Sequence, residues 1–325
     1  MKDKYNREID YIRISVTDRC NLRCVYCMPE EGVEMLSHSS ILSYEEILKI
    51  TKCLSELGIK KVRLTGGEPL VRRGIVNLIE DIKSLDGIET VSITTNGILF
   101  CDMFGELKAA GLDEVNFSLD TLQADRFEKI ARRPGLEKVL AAIDLSEKSG
   151  LKTKVNCVAM NGVNDDEILD MVGLIQNRDI CLRFIEYMPV GKHDLEKAVP
   201  TETVMRIIEE KYGELIPDER KHGMGPARYY RIPDVKGSVG FISAMTNCFC
   251  DSCNRIRLTA EGFLKLCLQY NVGISLRDLM RNGATDDELK TAICDAVQNK
   301  PQRHTFNDYL TAENIEENGM SRIGG

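Results

Sequence analysis

From Tyr11 to about Met188 the chain repeats one pattern six times: a short β-rich run, then a stretch with helical spacing. The strand candidates are Tyr11–Thr17, Lys61–Thr65, Thr90–Thr95, Glu114–Leu119, Lys152–Ala159 and Ile180–Tyr187. Tyr44–Leu57, Ile75–Leu85, Leu136–Lys148 and Asp165–Gln176 are among the helical patterns between them. Gly58, Gly87, Gly111 and Gly150 fall where helices end in a left-handed turn. Strand–helix repetition in one register implies a parallel sheet, either open and doubly wound or an incomplete barrel.

Strand parity chooses between them. One parity is polar in nearly every strand: Arg13 and Ser15, then Lys61, Arg63 and Thr65, then Ser92 and Thr94, then Asn116 and Ser118. Lys152, Lys154 and Asn156 continue it, and Arg183 closes it. The opposite parity is mostly apolar, as in Ile12, Ile14, Val62, Leu64, Val91, Ile93, Phe117 and Leu182. A closed eight-stranded barrel fills its interior with branched apolar side chains. Here helices are expected over the apolar face, with the polar face lining a wide lumen. The fold class is therefore α/β, an incomplete (βα)6 TIM-type barrel. Its lumen would carry Arg13, Lys61, Arg63, Lys152, Lys154 and Arg183. Some of these basic residues could be solvated strand ends. Buried unpaired charge is costly, so the full set points to a polyanionic ligand.

After Met188 the repeat stops. Gly191–Val199 reads as a loop, Thr201–Tyr212 as a helix, and Arg228–Ser243 as a β-rich segment turning at Pro233 and Gly237. Arg255–Leu258 and Phe263–Leu268 read as a hairpin, and Ser275–Arg281 and Asp286–Gln298 as helices. The expected division is a partial barrel over residues 1–190 and a C-terminal α+β extension over residues 191–325.

The 12 cysteines in 325 residues are too few for a disulfide scaffold. The opening MKDKYNREID lacks the apolar stretch of a secretory signal, and no long apolar run is present. A cytoplasmic protein with reduced thiols is expected, where clustered cysteines bind metal or do chemistry. A net charge of -8 argues against a nucleic-acid partner, and the hydropathy against a membrane one.

Cys20, Cys24 and Cys27 form C-x3-C-x2-C in TDRCNLRCVYCMPE, just after the first strand. Structural zinc wants four closed ligands, which here would require His38 or another residue. An iron–sulfur cubane held by three thiolates leaves one iron open. The stretch resembles the radical S-adenosylmethionine (SAM) enzymes. That resemblance implies a 4Fe–4S cluster whose open iron chelates SAM, and its reductive cleavage to a 5′-deoxyadenosyl radical. It also implies SAM contacts at Tyr26, at Gly67 within Thr65-Gly66-Gly67-Glu68-Pro69, at Ser118 and at Met188.

Cys250, Cys253 and Cys267 are spaced C-x2-C-x13-C. Spacing alone leaves open a four-thiolate zinc site, or a fully ligated electron-transfer cluster, completed by Cys248. CNRIRLTAEGFLKLC resembles the second motif of the GTP 3′,8-cyclases of molybdenum cofactor biosynthesis. TDRCNLRCVYCMP, KKVRLTGGEPLVRR, TTNG, RFIEYMP and the final Gly324-Gly325 extend the likeness to nearly the whole chain.

The resemblance implies a second 4Fe–4S cluster on Cys250, Cys253 and Cys267, open toward the guanine of GTP. It implies GTP contacts at Arg13, Arg63, Thr94, Lys154, Arg255, Ile256 and Arg257, with Lys61 and Arg183 toward the triphosphate. Arg255, Arg257, Gly324 and Gly325 are the implied catalytic residues, the diglycine tail entering the site. The implied reaction joins C3′ of the ribose to C8 of guanine, giving 3′,8-cyclo-7,8-dihydro-GTP. The implied partners are an electron donor such as flavodoxin or ferredoxin and a downstream cyclic pyranopterin monophosphate synthase, with a homodimer left open. No GxxxxGK[ST] stretch is present, so side-chain cations would hold the phosphates. Two other readings stand beside this one: a peptide-modifying radical SAM maturase with an auxiliary cluster, and a non-enzymatic zinc or iron–sulfur protein. Cys53, Cys101, Cys157, Cys181 and Cys294 stand singly and are expected to be small buried apolar residues.

Overall fold

The computed structural model describes residues 1–190, 195–220, 222–223, 225–306 and 315–324. Six strands come from the repeat: β1 (Tyr11–Ser15), β2 (Lys61–Thr65), β3 (Thr90–Thr95), β4 (Glu114–Ser118), β5 (Lys152–Ala159) and β6 (Cys181–Glu186). Six more follow: β7 (Ile216–Pro217), β8 (Arg228–Arg231), β9 (Ser238–Ile242), β10 (Arg255–Leu258), β11 (Phe263–Lys265) and β12 (Gly273–Ser275). The helices of the repeat are α1 (Tyr44–Glu56), α2 (Ile75–Lys83), α3 (Phe100–Ala109), α4 (Ala124–Ala131), α5 (Leu136–Lys148) and α6 (Ile168–Gly173). Beyond it lie α7 (Thr201–Tyr212), α8 (Leu276–Arg281), α9 (Asp286–Gln298) and α10 (Met320–Ile323).

All twelve strands join one sheet, in the order β12-β11-β10-β1-β2-β3-β4-β5-β6-β9-β8-β7. Strands β1 to β6 run parallel in chain order, β10 adds parallel to β1, and β9 parallel to β6. Antiparallel partners close each edge, β11 and β12 on one side and β8 and β7 on the other. Among the described residues no pairing joins the two ends, so the α/β barrel is incomplete, as parity required. Two of its eight parallel strands come from beyond residue 190. Among the described residues no helix is long and apolar enough to cross a membrane.

Local chemistry explains the elements. Ser43 and Glu46 form a reciprocal capping box that starts α1, whose buried stripe is Ile47, Ile50, Cys53 and Leu54. Thr285 and Glu288 do the same for α9. The apolar parity of the strands (Ile12, Ile14, Val62, Leu64, Val91, Ile93, Val115, Phe117 and Val155) is fully buried in the main core. Asp165–Gln176 is broken into a short 3-10 turn, Asp165–Glu167, followed by α6.

The polar parity is organised by a residue the pattern did not single out. Glu114, 5% exposed, accepts hydrogen bonds from Lys61 Nζ at 2.8 Å and Lys154 Nζ at 2.9 Å. Arg63 Nη2 and Lys152 Nζ lie 3.9 and 3.7 Å from the same carboxylate. Lysines 154 and 61, then Arg63, hold the carboxyl of Glu114 well below its usual range against its burial. Lys152 is the solvated strand end among the six expected lumen cations, its side chain 42% exposed. Replacing Glu114 with alanine strands two buried ammonium groups, and the expected loss is about 3–5 kcal/mol. The midpoint of chemical denaturation measures it, and an unchanged midpoint would refute the pairing.

Candidate active site

The loop after β1 carries Cys20, Cys24 and Cys27, and all three thiols line one cavity inside the barrel. The loop is fixed through its backbone. Arg23 and Val25 donate to the carbonyls of Ala131 and Ile130, each at 2.9 Å, and Arg132 Nη1 donates to the carbonyls of Arg23 and Met28. Cys20 Sγ accepts from the Leu22 N–H at 3.3 Å, and Asn96 Nδ2 approaches it at 3.8 Å. A Cβ on Gly67 would stand 2.4 Å from the Arg19 carbonyl oxygen, so only glycine lets the second strand's turn sit against the cysteine loop. Glu68 braces that turn, accepting from Thr95 Oγ1 at 2.8 Å, the Asn96 N–H at 2.7 Å and the Leu70 N–H at 3.0 Å. Burial pushes the Cys27 thiol up to about 12 and Cys24 well above the ordinary range. A bound metal would displace those protons.

Tyr26, Gly67, Ser118 and Met188 line the cavity beside these thiols. The Tyr26 hydroxyl donates to Asp120 Oδ2 at 2.6 Å, and Asp120 Oδ1 accepts from the Val158 N–H at 2.9 Å. Burial raises Asp120 to about 6.

Cys250, Cys253 and Cys267 line the same cavity. Strand β10 lies parallel to β1 with Tyr11 opposite Arg255, which puts Cys253 at the opening end of β1; Cys20 lies beyond its far end. Strand β11 runs back and returns Cys267 to the same level. Lys300 Nζ donates to the Arg255 carbonyl at 2.8 Å and also to that of Leu266, tying the hairpin's two ends together. Burial alone would raise the Cys253 thiol, but Arg255 and Lys300 pull it down to about 6. Cys248, Cys250 and His304 bring a third set of donors together, all within 4.8 Å of one another.

Between the two cysteine sets lies a row of guanidinium groups. Arg257 pairs in register with Arg13, and Arg13 with Arg63. Arg255 and Arg183 join them on the cavity wall, with Phe249 4.8 Å from the Arg255 guanidinium. Several buried polar atoms facing the cavity have no protein partner: Thr94 Oγ1, Asn156 Oδ1, Arg183 Nε, His304 Nε2 and Ser321 Oγ. These are the valences a polar ligand would satisfy. Three expected contacts stand apart from this wall. The Ile256 side chain lies in the apolar core, and Lys61 and Lys154 are engaged by Glu114.

The tail enters the barrel. Gly324 is buried, and a Cβ on it would lie 2.7 Å from Thr65 Oγ1 and 3.1 Å from Ser15 Cβ. Arg257 Nη1 donates to its carbonyl. Gly325 lies outside the described residues, as does part of the expected loop Gly191–Val199.

The Radical SAM superfamily model matches residues 14–175, and the Molybdenum Cofactor Synthesis C model residues 180–306. A protein named GTP 3′,8-cyclase from Clostridium perfringens is 47% identical over 325 residues, covering 100% of both chains. This chain belongs to the GTP 3′,8-cyclase family. It is an enzyme of the radical SAM superfamily. Molybdenum cofactor biosynthesis protein 1 from Drosophila melanogaster is 46% identical over 310 residues, 94% of this chain and 54% of that one. Among solved structures, Streptococcus suis SuiB bound to S-adenosylmethionine shares the fold, with a TM-score of 0.62 at 14% identity over 97% of this chain and 77% of that one.

Several residues at the site escaped sequence reasoning. Asn96 and Asp120 act through partners distant in sequence, Asn21 and Cys20 for one and Tyr26 for the other. Lys300 and His304 reach the second cysteine set from beyond α9. The expectation for the five single cysteines needs correcting. Cys53 and Cys157 are buried, Cys101 is exposed on α3, and Cys181 and Cys294 are partly exposed. Cys181 shares the parity of Arg183, so its strand position already pointed it at polar surroundings. Arg257→Ala removes the donor to Gly324, and the tail should become several-fold more susceptible to carboxypeptidase while the fold persists. Equal digestion rates would show that Arg257 does not hold the tail.

Proposed function

We propose that the protein is a radical SAM GTP 3′,8-cyclase, converting GTP to 3′,8-cyclo-7,8-dihydro-GTP as the first step of molybdenum cofactor biosynthesis. The observation that supports this most is the lumen itself: three thiols at each end and a row of arginines between. Cys20, Cys24 and Cys27 would hold a 4Fe–4S cluster, and Cys250, Cys253 and Cys267 a second. With SAM bound, the reduced first cluster would supply the one electron that cleaves SAM to methionine and a 5′-deoxyadenosyl radical.

The chain's own residues then position and exclude. Gly67 offers backbone to SAM, Ser118 and Met188 flank it, and Tyr26 lies against the adenine, steadied by Asp120. Arg13, Arg63, Thr94 and Arg183 clamp GTP from the barrel wall, and Lys61 and Lys154 would reach the triphosphate only by sharing their charge with Glu114. Arg255 and Arg257 frame the guanine end of the pocket, on either side of Ile256, whose side chain is anchored in the core. Such multipoint clamping of a triphosphate fixes the ribose, and a reactive radical makes fixed geometry and exclusion of water the main demands. Gly324 completes the wall that Arg257 faces, and the terminal diglycine would assist catalysis. The chain divides near residue 190 into a radical SAM part and an extension bearing the second cluster, and a small electron-carrier protein such as flavodoxin or ferredoxin would reduce the first cluster.

Anaerobically reconstituted protein should bind about eight irons per chain, four for each cluster. With SAM, GTP and a strong reductant it should form 5′-deoxyadenosine and the cyclised nucleotide. Tightly bound zinc without SAM cleavage would sink the proposal. The nearness of Cys248 and His304 to Cys250 favours a second reading, a closed four-ligand metal site. Cys248→Ala and Cys267→Ala separate the two: the first should keep all the iron and the second should lose about half. Loss in both variants would support the closed site. Arg255→Ala should weaken GTP binding at least tenfold, about 1.4 kcal/mol, and leave the first cluster's spectrum intact. Removing Gly324 and Gly325 should abolish cyclisation with little change in stability; full activity would refute the tail's role.

A further inference from the structure

Cys181 opens β6, two residues before Arg183 and on the same side of the strand. Its Sγ lies 3.1 Å from His222 Nδ1, and His222 Nε2 lies 2.8 Å from Asp218 Oδ2. Asp218 is fixed in turn, accepting from Arg220 Nη2 at 2.7 Å and Ser238 Oγ at 2.9 Å. Those donors, Arg220 first, hold its carboxyl well below the usual range, so it stays ionised. The imidazole is stacked on Tyr229, ring centres 4.2 Å apart and planes 23° apart. An ionised carboxylate at Nε2 takes the N–H there, which leaves Nδ1 as an acceptor aimed at the thiol. A nucleophile, a base and an orienting carboxylate are thus aligned in one line of hydrogen bonds. None of the three belongs to the cysteine sets or to the GTP pocket.

The charged groups around this thiol come from every neighbouring element. Lys152 and Lys154 face it from β5, Arg183 from β6 and Asp179 from the turn before β6. Asp218 and Arg220 lie between β7 and β8, and Tyr229 on β8. Burial pushes the Cys181 thiol above its ordinary range, and Lys154, Arg183 and Lys152 offset only part of that. Transfer of its proton to Nδ1 avoids a lone buried anion, because the product is a thiolate–imidazolium pair with Asp218 behind the cation. Cys181 is only partly buried, so a small reagent can reach it.

We propose that Cys181, His222 and Asp218 form an activated-thiol site that undergoes exchange with small, water-soluble disulfides. The thiolate attacks one sulfur of the disulfide, whose S–S bond breaks as the new S–S bond to Cys181 forms. The departing thiolate takes the proton held on His222, and no other oxidant is consumed. Cys101, exposed on α3, serves as the internal reference.

Cluster-loaded, full-length protein is treated anaerobically with hydroxyethyl disulfide, or in parallel with iodoacetamide, and adducts are quantified on each cysteine peptide by mass spectrometry. An ordinary thiol is only a few per cent ionised near neutral pH, so Cys181 should react roughly tenfold faster than Cys101 despite its burial. Its rate should stay flat over roughly pH 6 to 8, whereas that of Cys101 should climb about tenfold per pH unit. His222→Gln should slow Cys181 about tenfold and leave Cys101 unchanged. A Cys181 rate no greater than that of Cys101, unmoved by His222→Gln, would overturn the proposal. Should the variant disorder its loop and speed Cys181 instead, the wild-type pH profile decides: a rate climbing like that of Cys101 refutes activation.

Discussion

Arg257, Arg13 and Arg63 stand side by side on β10, β1 and β2, and the register of the sheet leaves them no way to separate. Like charges directly opposite one another destabilise a sheet, and burial removes the water that would screen them. Burial and then Arg257 drive the Arg13 guanidinium well below its ordinary range, and burial lowers Arg257 to about 10. The surroundings reduce this cost without removing it. Glu114 neutralises the lysines one layer away, and the Tyr11 ring lies 5.4 Å from the Arg63 guanidinium. The fully apolar opposite parity of the same strands supplies the stability that carries such a row. A polyanion entering the lumen would offset what the protein leaves uncompensated.

The row exists because a strand from the far end of the chain completes the barrel. Strand β10 contributes Arg257, and the turns flanking its hairpin with β11 bring Cys250, Cys253 and Cys267 to the end of the lumen opposite Cys20. Five residues of β1 separate the two ends, on the order of 16 Å at roughly 3.3 Å per residue. Each thiol set therefore faces the lumen from its own mouth, with the cationic wall between. A molecule spanning that gap would touch both ends at once, which neither a surface metal staple nor a bare electron carrier requires.

Much of this was legible in the sequence because it depends on short-range periodicity. Strands β2, β3 and β5 begin and end where alternation placed them, as do α5, α7 and α9. The inward parity gave the cationic lumen. What escaped is what depends on distant partners. Nothing local to Arg255–Leu258 says that it pairs parallel to β1, and nothing local to Glu114 says that Lys61 and Lys154 converge on it. The short β7 and β12 have too few residues for a period to show. Cys181 is different. Its place two residues before Arg183 carried the signal, but a reading of scattered cysteines as core filler overrode it, and His222 lay 41 positions away.

The buried tail bears on the same arginines. Helix α10 turns Gly324 into a gap between Ser15 and Thr65, where a side chain on that residue would collide with Thr65. Its carbonyl occupies one N–H of Arg257, on Nη1. A guanidinium has five N–H groups in one rigid plane, so fixing one edge fixes the direction of all the others. The tail therefore acts on the lumen through geometry more than through charge, because a carbonyl removes none of the positive potential of the row. A phosphate or guanine oxygen approaching the free edge of Arg257 would meet donors already aimed. Loss of the tail would leave that charge in place with its direction unset.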